Sequence, residues 1–267
     1  MMKNESKTLY IPLYGKAMAS CKGIILHDLS AEKIWKNEGF SLKGKSRSKW
    51  LAYFLSMRAA VIDRWLSEKL RANPKSMVLH IGCGLDSRIE RVKEPHGLWY
   101  DIDLPEVIEV RRRYFYENDN YKMLGASAME SNWIKALPDS ESVFVVMEGI
   151  SMYLSEEAVK GLFKALAEKF PKAEIVMDVY TSAAVKASRY KNPIKDVGAS
   201  AFFGVDDPKL FENEKIKFEK ELCMTPKDMI NELSGFEKAF FKTMFAGNFA
   251  KKLYKIYTYD CIGDEYV

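Results

Sequence analysis

Short apolar segments of strand length alternate with helical segments through the middle of this sequence, and this alternation limits the possible folds more than any other feature. The apolar segments are residues 77–81, 98–100, 121–124, 143–147 and 175–179. Each has the length of a strand that is buried on both faces. Strands that alternate with helices are typical of a parallel sheet covered on both sides, so we predict an α/β fold.

The segments before and after this region have different patterns. Residues 48–71 carry large apolar side chains at helical spacing. Residues 181–222 are rich in Lys, Asp, Asn and Ala without a clear strand, and we expect them to form a lid. Residues 236–245 and 253–259 alternate in part and predict a closing antiparallel hairpin. We expect one domain with four parts: an N-terminal helical extension (1–74), a core (75–180), the lid (181–222), and a final helix with the hairpin (223–267).

Charge and cysteine content make several classes of protein improbable. The 41 Lys and Arg exceed the 37 Asp and Glu by 4, and the pI is about 8.6, which is below the range of dedicated nucleic-acid domains. The four cysteines form no C-x-x-C pair, which is typical of a reduced, cytoplasmic protein. No signal peptide is indicated, and no apolar run approaches the ~20 residues of a membrane span. We therefore expect neither nucleic-acid nor membrane partners.

The first apolar segment runs directly into Gly82-Cys83-Gly84. Such glycines allow a tight turn and let a ligand approach main-chain N–H groups. A Walker phosphate loop is absent, and the third position of a dinucleotide G-x-G-x-x-G loop is taken by Ser87. S-adenosylmethionine has no pyrophosphate and needs only the close approach. An NAD-dependent oxidoreductase and a protein that binds S-adenosylmethionine are therefore the alternatives.

Acidic residues follow two of the predicted strands. Asp101 and Asp103 end the second strand, and Asp103 follows Gly84 by 19 residues, close to the ~20 at which a ribose-binding acid is expected. Asp103 is the first candidate for that role and Asp101 the second. Glu148 follows the fourth strand, where an acidic side chain faces the ligand crevice.

Together these motifs resemble those of the leucine carboxyl methyltransferases and the polyketide-type O-methyltransferases, including the tetracenomycin type. The matching stretches lie between residues 48 and 260 and are Arg58-x-x-x-x-Asp63, Gly82-x-Gly84-x-Asp86-Ser87-Arg88-x-x-Arg91, Asp101-x-Asp103-x-Pro105, Trp133-x-x-x-Leu137 and Glu148-Gly149-x-x-x-Tyr153-Leu154. The resemblance implies a Rossmann-like class I methyltransferase fold, with a seven-stranded, mostly parallel sheet and a C-terminal antiparallel hairpin. It also implies S-adenosylmethionine as the cofactor and S-adenosylhomocysteine as the product.

The resemblance assigns a role to each candidate residue. Arg58 would bind the methionyl carboxylate, Gly82, Cys83 and Gly84 would shape the loop, and Asp103 would hold the ribose hydroxyls. Glu148 and Tyr153 would lie near the methionyl amino group and the acceptor, with Tyr153 as the catalytic candidate. The family usually places Asp-Leu at the adenine, where this sequence has Ser127-Ala128. The Ser127 hydroxyl or the backbone of Ala128 would then make the adenine contact.

The acceptor is predicted from what the sequence lacks. Neither His27, His80 nor His96 belongs to a recognisable catalytic pair, and no spacing of ligands predicts a metal site. A carboxylate is ionised at pH 7 and needs no general base, whereas a phenol with a pKa of about 10 does. We therefore expect an O-methyltransferase that acts on a carboxylate, or on a hydroxyl, of a small organic acid or phenol. A non-catalytic binding protein remains the other possibility, and the sequence does not indicate an oligomeric state.

Overall fold

The computed structural model describes residues 8–42, 44–188, 203–247 and 252–263, which are called the described residues below. They contain the strands β1 Met77–Ile81, β2 Trp99–Asp103, β3 Tyr121–Gly125, β4 Val143–Met147, β5 Lys172–Tyr180, β6 Ile216–Leu222 and β7 Tyr254–Ile262. These strands form one sheet in the order β3-β2-β1-β4-β5-β7-β6. The first five are parallel to one another, and β7 pairs antiparallel with both β5 and β6. The predicted α/β class and mostly parallel sheet are confirmed.

The helices follow from local sequence signals. They are α1 Tyr10–Cys21, α2 Leu29–Glu38, α3 Lys49–Ala72, α4 Arg88–Arg91, α5 Pro105–Arg111, α6 Glu156–Lys169, α7 Ser182–Ser188, α8 Lys227–Asn231 and α9 Gly235–Met244. The side chain of Ser155 caps α6 by accepting from the Ala158 N–H, and Asp28 caps α2 in the same way through Ala31. Pro105 occupies the first position of α5, where its missing N–H costs nothing.

Helices cover both faces of the sheet. On β4, Phe144 faces α3, where the ring of Trp65 meets it edge-on with the ring centroids 6.2 Å apart. On the opposite face, Phe163 of α6 packs against Tyr259 of β7 at 5.3 Å. All five residues of β1 and of β4 are buried, as expected for central strands of a parallel sheet. No helix among the described residues has both the length and the apolar character needed to cross a membrane.

The predicted closing hairpin is wrong in its first strand. Residues 236–245 form most of α9, because their aromatic side chains recur at helical spacing and place Phe241 in the core. The Phe241 ring lies 6.4 Å from Tyr53 and stacks on Phe245 at 5.3 Å. The antiparallel pair at the end of the sheet is formed instead by β6 and β7, with α8 and α9 between them.

The segment expected to be free of strands, residues 181–222, contains β6. This strand lies at the sheet edge and carries Lys217, Glu219, Lys220 and Glu221, so it lacks the apolar run by which the other strands were recognised. Charged side chains are typical of edge strands because they discourage pairing with another chain. Residues 189–202 of the predicted lid lie outside the described residues.

The helical packing of α9 predicts unequal effects of two phenylalanine substitutions. Phe241→Ala should lower the free energy of unfolding by about 3–5 kcal/mol, because it removes a fully buried ring. Phe236→Ala, at a position that is 75% exposed, should change it by less than about 0.5 kcal/mol. Urea unfolding followed by circular dichroism measures both changes. Equal losses would contradict the placement of this helix.

Candidate functional site

A cavity of about 460 Å³ lies at the carboxyl edge of the parallel strands, and residues of α1 and α3 form part of its wall. This volume is within the range of small-molecule and cofactor sites. All the candidate residues except Asp101 line it: Arg58, Gly82, Cys83, Gly84, Asp103, Ser127, Ala128, Glu148 and Tyr153. The structure therefore brings together residues that are separated by up to about a hundred positions in the sequence.

The glycine loop requires residues without a side chain. Gly82 and Gly84 have φ angles of 71° and 52°, in the left-handed region that favours glycine. A Cβ on Gly82 would come within 2.0 Å of Cγ2 of Ile150. The N–H groups of Gly82 and Cys83 donate to the Ile102 carbonyl at 2.7 and 3.2 Å, which fixes the turn against β2. The loop thus leaves room for a ligand beside the main chain.

Asp103 lies at the exit of β2 beside this loop. Its Oδ2 accepts the Gly84 N–H and its Oδ1 accepts the Leu104 N–H, both at 2.7 Å. Burial raises the pKa of Asp103 to about 6, although these two hydrogen bonds favour the ionised form. Each carboxylate oxygen can accept a second hydrogen bond, so Asp103 can still bind a pair of ligand hydroxyls.

Asp101 has a structural role and does not line the cavity. Its Oδ1 accepts from Trp99 Nε1 at 2.9 Å and lies 3.2 Å from Nδ1 of His80. Its Oδ2 accepts from Tyr121 Oη at 2.6 Å and from Arg111. Burial opposes ionisation of Asp101, but the Arg111 guanidinium and these hydrogen bonds outweigh it and lower the pKa to about 2.

At the other end of the cavity, Arg58 is held by three partners. Its Nε and Nη2 donate to Oε1 of Glu148 at 3.0 and 2.7 Å. Its Nη1 donates to Oδ2 of Asp178 at 2.9 Å and to the hydroxyl of Tyr254. These bonds use four of the five N–H groups of a guanidinium, so among the described residues one N–H on Nη2 remains available to a ligand.

Glu148 continues this contact into a buried ion network. Its Oε2 accepts from Arg88, whose Nε donates to Asp63 at 2.6 Å. Burial opposes ionisation of Glu148, but the charges of Arg58 and Arg88 outweigh it and lower the pKa to about 2. Asp63 also accepts from Nε of Arg91 at 2.6 Å. Glu148 therefore joins the helix α3, which carries Arg58, to the residues that follow the glycine loop.

Arg91 extends the network towards the N-terminal helices. Its Nη1 donates to Asp28 at 2.7 Å and to Asp86 at 2.5 Å. Asp86 in turn pairs with Lys16 of α1 at 2.9 Å. Together these connected ion pairs form the buried ion network, with the members Lys16, Asp28, Arg58, Asp63, Asp86, Arg88, Arg91, Glu148 and Asp178. The network gives a structural reason for the spacing within the two arginine motifs of the sequence, Arg58-x-x-x-x-Asp63 and Arg88-x-x-Arg91, because all four residues belong to it.

The sequence did not identify several residues of the site. Lys16 is 3% exposed and lines the cavity. In the sequence of an amphipathic helix, however, nothing distinguishes this buried lysine from an exposed one. Asp178 carried a usable signal, since a lone carboxylate within the apolar run of β5 needs partners. Burial raises the pKa of Asp178 despite the neighbouring Arg58 guanidinium. Tyr254 carried no signal, because only the antiparallel pairing of β7 with β5 brings it to Arg58.

The part of the cavity next to Arg58 is mostly apolar and aromatic. Its walls include Ile11, Leu51, Leu55, Tyr153, Tyr180 and Tyr254. Burial raises the pKa of the Tyr153 phenol, so this group stays protonated at neutral pH. Burial and the Arg88 charge lower the pKa of His80, which keeps its ring neutral. This region can therefore surround an organic molecule with apolar surface and donate a hydrogen bond from the Tyr153 phenol.

The N-terminal helix contributes more to the cavity than the predicted lid does. Residues from Thr8 to Lys16 line it, whereas no described residue of 181–222 does. Gly15 permits the close approach of α1 to α3, because a Cβ there would lie 3.1 Å from the Ala52 carbonyl oxygen. Within the described ranges, no group of three or more His, Cys, Asp or Glu side chains could hold a metal ion.

Comparisons with known proteins agree with the motifs. A profile of the family described as leucine carboxyl methyltransferase matches residues 3–167. The tetracenomycin polyketide synthesis O-methyltransferase of Streptomyces glaucescens is 27% identical over 217 residues, covering 80% of each chain. An S-adenosyl-L-methionine-dependent methyltransferase of Gibberella zeae is 26% identical over 234 residues, covering 79% of this chain and 78% of that one.

A solved structure supports the fold independently of sequence. The crystal structure of a candidate methyltransferase from Thermobifida fusca superimposes with a TM-score of 0.52 at 12% identity. The alignment covers 93% of this chain and 94% of that one. The Rossmann-like class I methyltransferase fold is therefore confirmed, including the antiparallel strand pair that ends the sheet.

The buried ion network predicts that removing one shared carboxylate is costly. Asp63→Asn should lower the free energy of unfolding by about 3–5 kcal/mol, because it removes the charge of a carboxylate that accepts from two buried guanidiniums, those of Arg88 and Arg91. The matched control is Asp228→Asn, whose partner Arg64 lies 2.7 Å away in a pair that is more than half exposed. That change should cost no more than about 1 kcal/mol. Chemical denaturation that gives similar losses for both variants would contradict this assignment.

Proposed function

Because the chain belongs to the leucine carboxyl methyltransferase family, we propose that it transfers a methyl group from S-adenosylmethionine to an oxygen of a small organic acceptor. One observation carries the proposal. A carboxylate, a glycine loop and a buried guanidinium line one cavity, and the strand order β2-β1-β4 places them in sequence from Asp103 through Gly82 and Gly84 to Arg58, which contacts Glu148. This order suits a ligand with a ribose in its middle and an amino-acid carboxylate at one end.

Each residue has a proposed role. Asp103 accepts from the ribose hydroxyls, and the loop of Gly82, Cys83 and Gly84 lets the cofactor lie against the main chain. The free N–H of Arg58 donates to the methionyl carboxylate. Glu148, whose charge is maintained by its low pKa, attracts the methionyl ammonium. The remaining assignments are to Ser127 and Ala128 at the adenine and to Tyr153 at the acceptor.

The charge of the cavity supports a cationic cofactor. Its lining contains the cations Lys16 and Arg58 and the carboxylates Asp86, Asp103 and Glu148. Carboxylates therefore exceed cations by one when Asp103 is ionised. S-adenosylmethionine carries a sulfonium, an ammonium and a carboxylate, so its net charge is positive. A buried charge is stabilised by a partner of opposite sign, and the demethylated product, which has lost the sulfonium charge, is held less strongly.

The chemistry requires alignment more than acid–base groups. S-adenosylmethionine supplies an electrophilic methyl group, and the electron pair of the broken carbon–sulfur bond stays on the sulfur. The protein holds the acceptor oxygen in line with that bond, and such positioning can supply roughly 7–11 kcal/mol of the barrier. Leu51, Leu55 and the helix α1 exclude water from the acceptor end of the cavity. Tyr153 donates a hydrogen bond that orients the acceptor.

The acceptor is proposed to be a small organic acid, methylated on its carboxylate. Such a nucleophile is ionised at neutral pH and needs no base, in agreement with the neutral His80. A hydroxyl acceptor is the second candidate, and one observation favours it. Both cations of the cavity lining, Lys16 and Arg58, are already paired with carboxylates. The name of the Streptomyces glaucescens relative, an O-methyltransferase of polyketide synthesis, is compatible with either group.

Binding of S-adenosylhomocysteine tests the site directly. Calorimetry should detect binding of S-adenosylhomocysteine and no binding of NAD. The alternative, an NAD-dependent oxidoreductase, predicts the reverse. Asp103→Asn should weaken binding by at least about tenfold, since it replaces a charged acceptor with a neutral amide. The control Asp119→Asn changes an exposed carboxylate and should bind as the wild type does. Unchanged affinity in Asp103→Asn would refute the ribose contact.

The pKa of Asp103 predicts a pH dependence of this binding. The carboxylate with a pKa of about 6 is ionised above that value and protonated below it. If hydroxyls bind the ionised form, the dissociation constant should rise by about tenfold between pH 7 and pH 5. Asp103→Asn should remove most of this rise. Parallel pH profiles of the variant and the wild type would show that another group is responsible.

The proposed contact of Arg58 predicts that charge alone is insufficient. Arg58→Lys keeps a cation beside Glu148 and Asp178, but one ammonium cannot reach both and also bind a ligand carboxylate. We expect S-adenosylhomocysteine to bind at least about tenfold more weakly. The unfolding transition is measured in parallel, so that a loss of fold is recognised. Full affinity in the variant would show that the site needs only a positive charge at this position.

The pH dependence of the chemical step separates the two acceptor groups. With a carboxylate, single-turnover rates should be nearly constant from about pH 6 to 9, because the nucleophile is already ionised. With a phenol, the rate should rise with pH until the phenol or its base loses a proton. The acceptor for this measurement is found by screening a library of small acids and phenols with a labelled methyl donor. No turnover with any member would favour a non-catalytic binding protein.

A further inference from the structure

Among the residues that the structure describes, no carboxylate lines the end of the cavity beside β3, where the purine would lie. We infer that this protein recognises the purine of its cofactor through the ring faces and the N1 edge and makes little use of the 6-amino group. The inference rests on the proposed function, because it assumes that S-adenosylmethionine occupies the cavity. It concerns a specificity that the proposed function alone does not determine.

The strand order places the purine. The carboxyl ends of β3, β2, β1 and β4 follow one another along the crevice, so Ser127 after β3 and Glu148 after β4 lie at opposite ends. Asp103 after β2 lies between them. With the ribose on Asp103 and the methionyl carboxylate on Arg58, which contacts Glu148, the purine can extend only towards β3.

The lining at this end is apolar. It consists of Leu104, Val107, Ala126, Ser127, Ala128 and Met129. Of the carboxylates in the cavity lining, Glu148 lies at the other end and Asp86 is paired with Lys16 and Arg91. Asp103 is assigned to the ribose hydroxyls and already accepts hydrogen bonds from the N–H groups of Gly84 and Leu104. Aliphatic side chains can pack on both faces of a purine, but they offer its amino group no acceptor.

Ser127 is a weak substitute for a carboxylate. Its hydroxyl oxygen already accepts the Met129 N–H at 3.1 Å. Its carbonyl oxygen accepts from Trp133 Nε1 at 3.2 Å and from the Glu130 N–H at 3.1 Å. By contrast, the structure assigns no acceptor within the described residues to the Ala128 N–H. This donor suits N1 of the purine, which is an acceptor whether or not the ring carries an amino group.

Exposure at this rim reduces the importance of the amino group further. Met129 is 55% exposed, and Ser127 and Ala128 are half-buried. The amino group can therefore stay hydrated in the complex. A site discriminates strongly against an analogue only when the missing group leaves a buried partner unpaired. Here the loss of the amino group leaves no such partner, so discrimination should be small.

The test compares S-adenosylhomocysteine with its 6-deamino analogue, in which purine replaces adenine, by calorimetry on the full chain. We expect the two dissociation constants of the wild type to agree within about threefold. Ser127→Asp places a carboxylate at this edge and should create a preference for the 6-amino ligand of at least about tenfold. Ser127→Asn offers a neutral acceptor in case the aspartate variant fails to fold, and it should create a smaller preference of the same sign.

The outcomes separate the two proposals. If S-adenosylhomocysteine binds and the 6-deamino analogue is more than about tenfold weaker, the inference is overturned while the proposed function stands. Glu130→Gln, which changes the exposed carboxylate next in the chain, should leave the ratio unchanged; a ratio that depends on Glu130 would also overturn the inference. If S-adenosylhomocysteine itself does not bind, the proposed function fails and the inference fails with it.

Discussion

The buried ion network is the interaction on which the rest of the site depends. Glu148 and Asp63 each lie between two cations, and Asp86 pairs with three, so none of these three carboxylates depends on a single partner. Removing ions from water costs several kcal/mol each, and only complete pairing with good hydrogen bonds offsets that cost. Such a network contributes more to the position of its members than to net stability, because every displaced member leaves a charge uncompensated.

This constraint explains why helices outside the sheet can form part of a cofactor site. The network joins α1, α3 and the segment after the glycine loop to the end of β4, and four of its members also line the cavity: Lys16, Arg58, Asp86 and Glu148. The low pKa of Glu148, about 2, means that this carboxylate stays ionised at any pH near neutrality. Its contribution to stability is present above its ordinary pKa and is lost only as the pH falls towards 2.

The parts of the fold that the sequence predicted are those specified by adjacent residues. The parallel strands, the glycine turn and Asp103 at the exit of β2 each follow from a local pattern. The errors arise where tertiary contacts decide. The partial alternation of residues 236–245 predicts a strand, whereas the structure places Phe241 of this segment in the core as part of a helix. β6 is hidden by the charges of a sheet edge. The sequence ranks Asp103 above Asp101 but retains both as ribose candidates, and only the structure shows that Asp101 is engaged by Arg111 and Tyr121.

The two ends of the cavity use different physical means of recognition. Beside β4, buried charges with fixed partners surround Arg58, so a ligand there must match a set of ionic groups. Beside β3, aliphatic side chains and one half-buried serine leave the ligand edge near water. A ligand group that does not match its partners loses much binding free energy beside β4 and little beside β3. If the cofactor lies as proposed, its selectivity depends on the amino-acid and ribose portions, while the purine contributes mainly through burial of its faces.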